Sequence, residues 1–435
     1  MDGHEGAVVD RPENLTGASR HFSSEDVFWI ASQFDLPGLD LVEEFGARGN
    51  INLHTYLVRD SQGEEHILQR INTDVFRQPF RVMASMTEWI GAQRRYLESG
   101  RAPAWTIWEP ISLVRTRDGD SWLDLSDAQG FSVWRMMRRI GNSVCYKSLS
   151  QAGGKADQLR LAEELGRGLA LNADFTADVP VSQLASSLPG YRDTAGYFSQ
   201  FESITKGTRH LDDVVELPWN EEVRDSTQHL YVLAIPDEEA RRRQETVLEY
   251  IEIARRNAAF AISLQARANE GSIRKVAIHG DTKIENFLFC AETGRVRSLV
   301  DLDTIMPYTW LADWGDMLRS LVNVAGECEP DLEKIQVDED VYQAVAKGFL
   351  ATIREASEEE LDLLHDAIKA IALELGVRFL TDYLRGDNYF MLGKGDPHDL
   401  NRTRGMVQLT LFQRLAEKDA WAKEMLDNLR SKKPA

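Results

Sequence analysis

Along this 435-residue chain the spacing of apolar positions alternates between helical and strand periods. Ser23, followed three residues later by Asp26, introduces VFWIASQF with an acidic first turn, the pattern of a capped helix. INLHTYLV then alternates apolar and polar positions, SQGEE breaks it, and HILQRIN resumes, predicting strand, turn, strand. VMASMTEWIGAQRRYLES returns to a helical period. SWLDL and FSVWRMMRRI read as two strands parted by SDAQG, and the pattern LRLAEELGRGLALNADF gives an amphipathic helix from about Gln158 to Asp174. Between about 201 and 272 the stretch QETVLEYIEIARRNAAFAISLQARANE predicts one long helix.

Three short apolar runs follow: VAIH, NFLFC and RSLV. The Gly-containing AETGR between the last two predicts a β-hairpin. Three helices are expected to close the chain. In this part a capping box of Ser357 and Glu360 precedes LDLLHDAIKAIALELGVRFLTDYLRG, which Gly386 stops.

Composition narrows the class. The length suits two lobes around one cleft, and the 43% apolar content is that of an ordinary globular protein. A formal charge of −20 argues against nucleic acid as a partner, since phosphates select basic surfaces. Cys145, Cys290 and Cys328 are odd in number and lack CxxC spacing, so neither a disulfide framework nor a zinc site is expected; a reducing cytoplasm fits. No apolar run approaches a membrane span, and MDGHEGAVVDRPENLTGASR lacks a signal-peptide core. Residues 1–22 are expected to form a mobile tail.

The chemistry concentrates between Val276 and Gly315. If NFLFC and RSLV pair as a hairpin, Asn286 at the start of one strand and Asp301 at the end of the next finish at the same edge, with Asp281 in the loop before them. A carboxylate that orients a hydroxyl nucleophile, beside oxygen ligands for a magnesium ion, is what phosphoryl transfer requires. His279, two residues before Asp281, is expected to brace the loop by hydrogen bonding.

HGDTKIEN and VDLD resemble the HGDxxxxN loop and metal-binding strand of the aminoglycoside and choline kinase-like phosphotransferases. More narrowly, DLDTIMPYTWLADWGDMLR, VRFLTDYLRGDNYF and NRTR are similar to the bacterial N-acetylhexosamine 1-kinases. The likeness is patchy over about residues 25–415. It implies an α+β, two-lobed protein-kinase-like fold, with a small β-rich N-terminal lobe over 23–139 and a larger, mainly helical lobe over 140–435.

Several roles follow from the resemblance. Asp281 orients the acceptor hydroxyl, Asn286 and Asp301 hold Mg2+, and Asp303 and Asp313 support the loop structurally. Gly46 and Gly49, with Asn52, cover the ATP phosphates, and Lys283 neutralises one. Trp134, Arg135 and Met136 belong to the hinge strand expected to contact adenine. Thr304, Arg378 and Tyr389 line the sugar site. Thr194 belongs there as well, although Ala195, Gly196 and Tyr197 replace the family's next three residues. Where kinases carry a phosphate-pairing lysine this chain reads Gln69.

These features predict an ATP- and Mg2+-dependent sugar kinase acting on an anomeric hydroxyl, with a nucleotide and a sugar as its partners. Two alternatives stay open. One is another acceptor in the same fold, such as an aminoglycoside, choline or homoserine; the other is a nucleotide-binding pseudokinase, motivated by the missing lysine.

Overall fold

The computed structural model describes residues 22–45, 52, 54–127 and 130–432. Gly46 and Gly49, and the expected tail apart from Phe22, lie outside the described residues. The chain divides into two compact units, Met1–Gly91 with Glu109–Ser143, and Ala92–Trp108 with Val144–Ala435.

The first unit is built on an antiparallel sheet. Its strands are β1 (Leu39–Glu44), β2 (Thr55–Asp60), β3 (Glu65–Arg70), β4 (Leu113–Val114), β5 (Leu123–Asp127) and β6 (Gly130–Arg138), in the order β1-β2-β3-β6-β4 with β5 also on β6. A two-residue strand, β7 (Ser143–Val144), ends this stretch. The alternation in the sequence did not mark out β1, whose pairing with β2 carries a bulge between Leu39 and Leu41. Helix α1 (Ser24–Ser32) opens with the expected reciprocal cap of Ser23 and Asp26. It buries Val27, Trp29 and Ile30 against Val58, Leu68, Trp134 and Met136, and Phe22 joins that core.

Helix α2 (Pro79–Glu98) passes through the boundary. Its C-terminal part counts with the second unit because Tyr96 and Trp108 both meet Phe175 edge-on, at 5.3 and 5.1 Å. Trp108 also donates its indole N–H to Gln93.

The second unit is mainly helical. It begins with α3 (Lys155–Phe175), α4 (Thr194–Thr205) and α5 (Glu221–Thr227). The long helix expected next is instead three: α6 (Asp237–Glu245), α7 (Leu248–Arg256) and α8 (Ala258–Glu270). The breaks fall at β-branched Thr246–Val247, where the Thr246 hydroxyl donates to Arg243 O, and at Asn257, whose amide donates to Ile253 O.

Strand β8 (Val276–Ile278) pairs antiparallel with β11 (Met306–Tyr308), and β9 (Phe287–Cys290) with β10 (Val296–Leu299) forms the expected hairpin. After α9 (Trp310–Val322), five helices rather than three close the described chain: α10 (Glu339–Leu350), α11 (Glu358–Asp362), α12 (Leu364–Arg385), α13 (Leu400–Ala416) and α14 (Asp419–Ser431). Ser357 and Glu360 form their capping box, yet it opens only α11, because Leu363 leaves helical geometry before α12 begins. No described helix is long and apolar enough to cross a membrane.

Candidate active site

Asp281 follows β8 on a loop held by its backbone. The carboxylate of Asp313, in the first turn of α9, accepts N–H bonds from His279 and Gly280, each at 2.8 Å, and the Thr282 hydroxyl donates to the Asp313 carbonyl. Burial pushes the Asp313 carboxyl above its ordinary range, against the opposing pull of His279 and the two N–H bonds. Gly280 has φ +85°, and a Cβ there would stand 2.7 Å from Thr304 O, so the turn requires glycine twice over.

His279 is fully buried. Its Nδ1 accepts from Asp281 N–H at 3.3 Å, which leaves Nε2 to donate to Val300 O at 2.9 Å. The ring therefore ties the Asp281 loop to the end of β10.

That end is where the hairpin delivers the remaining window residues. Val300 N–H donates to Asn286 O at 2.8 Å, which sets Asn286 beside the residue preceding Asp301. The Asn286 amide N–H donates to Asp281 O at 2.8 Å, so the side chain's hydrogen-bonding capacity that remains includes its carbonyl oxygen. Exposed Asp301 adopts left-handed backbone, φ +66° and ψ +60°, a conformation that Asp tolerates better than most residues.

Lys283 Nζ meets both carboxylate oxygens of Asp281, at 2.8 and 3.0 Å. Burial pulls the lysine pKa down, but Asp281, together with Asp316 and Tyr191, makes the net shift upward.

A nucleotide-borne magnesium ion fits this donor set. Among the described residues no group of three or more His, Cys, Asp or Glu forms a metal cage. Magnesium bound through phosphates needs only one or two protein oxygens, and Asn286 and Asp301 are hard-oxygen residues at one hairpin edge.

A second layer lies against Gly280. The Tyr191 hydroxyl and Arg192 Nη2 both donate to Gly280 O, at 2.7 and 2.8 Å. Buried Arg192 also pairs with Asp316 at 2.8 Å and Glu374 at 3.2 Å. Burial would raise the Asp316 carboxyl, yet Arg319, Arg192 and Lys283 bring it down to about 2.

Beside this layer the Arg378 guanidinium lies among four rings. Its Cζ is 5.4 Å from the centroid of Tyr191, 4.7 Å from Tyr197, 5.8 Å from Tyr389 and 5.3 Å from Phe390. Among the described residues Arg378 forms no ion pair, and its hydrogen bond goes to the Tyr389 hydroxyl at 3.4 Å. Tyr191 thus has Arg378 near its ring and Gly280 at its hydroxyl, linking the cage to the Asp281 loop.

The window residues come together, as do Arg378 and Tyr389. Thr194 and Thr304 are both buried. The single hydroxyl proton of Thr194 goes to Glu374 at 2.6 Å and that of Thr304 to His279 O at 2.8 Å, both within packed structure. Asp303 is buried, and its carbonyl accepts from Ser187.

In the first unit, Trp134 and Met136 are fully buried. The backbone of Trp134 is laddered to Arg70 and Leu123, and that of Met136 to Leu68 and Val114. Gln69 donates to Thr55 and accepts from Arg135 Nε at 3.1 Å, so the site of the missing lysine holds a buried guanidinium in place. Asn52 accepts from Asn72 N–H at 2.8 Å and pins the start of β2.

Tyr191, Arg192, Asp316, Glu374 and Phe390 were not singled out from sequence. The one available signal was the departure at Tyr197 itself: its hydroxyl accepts from Arg192 N–H at 2.9 Å while its ring flanks Arg378.

A β-rich unit, a helical unit and an Asp-Asn-Asp window on a hairpin together define a kinase-like phosphotransferase architecture. The family model described as APH, Phosphotransferase enzyme family, matches residues 44–347, and the chain belongs to that family. An amicoumacin kinase, hAmiN, solved with AMP-PNP, Ca2+ and Ami, is 15% identical, with 89% of this chain and 93% of that one covered and a TM-score of 0.52; the likeness shows a shared fold. An aminoglycoside phosphotransferase from Alicyclobacillus acidocaldarius is also 15% identical, over 92% of this chain and 94% of that one, with a TM-score of 0.47. A microcompartment-associated aminopropanol kinase aligns over 93% and 98% at 15% identity, with a TM-score of 0.49.

Proposed function

We propose that this phosphotransferase uses Mg2+ and ATP to phosphorylate the anomeric hydroxyl of an N-acetylhexosamine or related hexose. Magnesium, when bound, supplies charge neutralisation at the transferring phosphoryl group. Asp281 accepts or orients the acceptor proton, and the loose transition state asks for position rather than a strong base. The loop anchors on Asp313 and His279 provide that position. Lys283, paired with Asp281, brings a cation toward the phosphate side.

The acceptor reading rests on one observation, the Arg378 guanidinium inside its ring cage. Of its five donors one is directed to Tyr389, so the others suit the oxygens of a polyol, and the rings suit a sugar's apolar faces. The same feature disfavours the rivals. A quaternary ammonium needs the interior of such a cage, which Arg378 fills, and a polycationic aminoglycoside would meet a like charge. A pseudokinase has no need of Asp281, Asn286 and Asp301 at one edge.

Purified protein with Mg-ATP and a sugar panel, followed by phosphorus NMR, tests the reading. Phosphate on an anomeric oxygen is expected; a product phosphorylated elsewhere, or turnover of choline alone, overturns it.

A further inference from the structure

The segment 201–272 supplies none of the catalytic-window residues, yet it grips the end of α12. The last carbonyls of a helix need donors. Here Ala234 N–H donates to Arg385 O at 3.1 Å and Arg243 Nη1 to Tyr383 O at 2.7 Å. A cation at this end also suits the helix dipole. Arg243 holds Glu239 at 2.9 Å within α6, lies 4.9 Å from the Tyr383 ring centroid and ion-pairs with Asp387. Its position is therefore set from three sides.

What Arg243 holds is a reversal of the chain. Gly386 has φ +126° and Asp387 φ +56°, and left-handed backbone at a non-glycine residue is unfavourable unless something secures it. Arg243 and Asn401, whose amide donates to Asp387 at 3.0 Å, secure Asp387. The reversed chain then delivers the N–H groups of Asn388, Tyr389 and Phe390 to the Asp382 carboxylate, at 3.2, 2.9 and 2.8 Å. Tyr389 and Phe390 are two of the four rings around Arg378.

We infer that Arg243 is a positioning residue for the acceptor: by clamping Asp387 it sets the turn that brings Tyr389 to Arg378, so the segment 201–272 tunes acceptor affinity without touching the acceptor. The inference rests on the proposed reading of Arg378 and Tyr389 as an acceptor wall. The neighbours Arg241 and Arg242 are exposed, whereas Arg243 is half-buried.

The test compares Arg243→Ala, Arg243→Lys and Asp387→Asn with wild type in KM for sugar, KM for ATP and amide hydrogen exchange. Arg243→Ala is expected to raise the sugar KM about tenfold, the loss of one charge-assisted hydrogen bond, with the ATP KM unchanged. Exchange at Asn388–Phe390 should quicken, and Arg243→Lys should restore part of both effects. Should Arg243→Ala fail to fold, Asp387→Asn breaks the same ion pair from its other side and is expected to move the sugar KM alone. Sugar and ATP KM rising together, or unchanged exchange at 388–390, would overturn the clamp. If wild type phosphorylates no sugar, the sugar reading fails, while faster exchange confined to 388–390 still supports the clamp.

Discussion

Asp313 and Gly280 are joined by an N–H bond of 2.8 Å, and the other oxygen of the same carboxylate takes the His279 N–H at the same distance. Asp313→Ala would strand two buried donors at about 1–3 kcal/mol each. Denaturant unfolding should show a loss of about 3 kcal/mol, or no soluble protein. Asp313→Asn, which keeps one acceptor, should lose less.

Gly280→Ala should be as damaging by a different route. A side chain at φ +85° costs about 1 kcal/mol, and the added Cβ meets Thr304 O, which is backbone and has little room to move. Activity is expected to fall further than stability, because the displaced residue is next to Asp281. Paired thermal melts and turnover assays check this.

Asp281→Asn is nearly isosteric but removes the proton acceptor and the partner of Lys283. The expected kcat is lower by on the order of 10²–10⁴. Nucleotide affinity, measured by calorimetry with Mg-ADP, should change little. Full turnover in this variant would remove Asp281 from its proposed role.

Arg378→Ala would empty the cage formed by Tyr191, Tyr197, Tyr389 and Phe390. Sugar KM should rise. Tetramethylammonium, which wild type should ignore, should then bind, with a gain of about 1 kcal/mol from cation–π attraction. An NMR titration of both proteins distinguishes these outcomes.

The buried Asp174 carboxyl is pushed up from 3.8 to about 6 by burial, against two opposing N–H bonds from Arg354 and Glu355. The folded state thus binds this proton more tightly than the unfolded state does. Its contribution to stability is full below about pH 4 and is lost as pH rises through about 6, a change of about 3 kcal/mol at most. Replacing Asp174 by Asn should flatten that part of the stability–pH curve.

Legibility followed distance along the chain. The caps of α1 and α11 were readable because Ser23 with Asp26, and Ser357 with Glu360, satisfy one another three residues apart. The β9–β10 hairpin was readable from two apolar runs and a glycine turn, and with it the shared edge of Asn286 and Asp301. The single helix expected over 244–270 was not what formed, since its breaks depend on side chains of Thr246 and Asn257 capturing nearby carbonyls.

By itself, then, the sequence determined the placement of Asp281, Asn286 and Asp301, which rests on local pairing and short loops, and it carried the kinase-like fold class through the resemblance of HGDTKIEN and VDLD. Only the tertiary structure decided what surrounds Arg378, directed the hydroxyls of Thr194 and Thr304 to Glu374 and His279 O, and set Arg243 on Asp387. Those relations join segments far apart in the chain, and a residue's pattern of neighbours in sequence carries no record of which distant carboxylate, carbonyl or ring will share its burial.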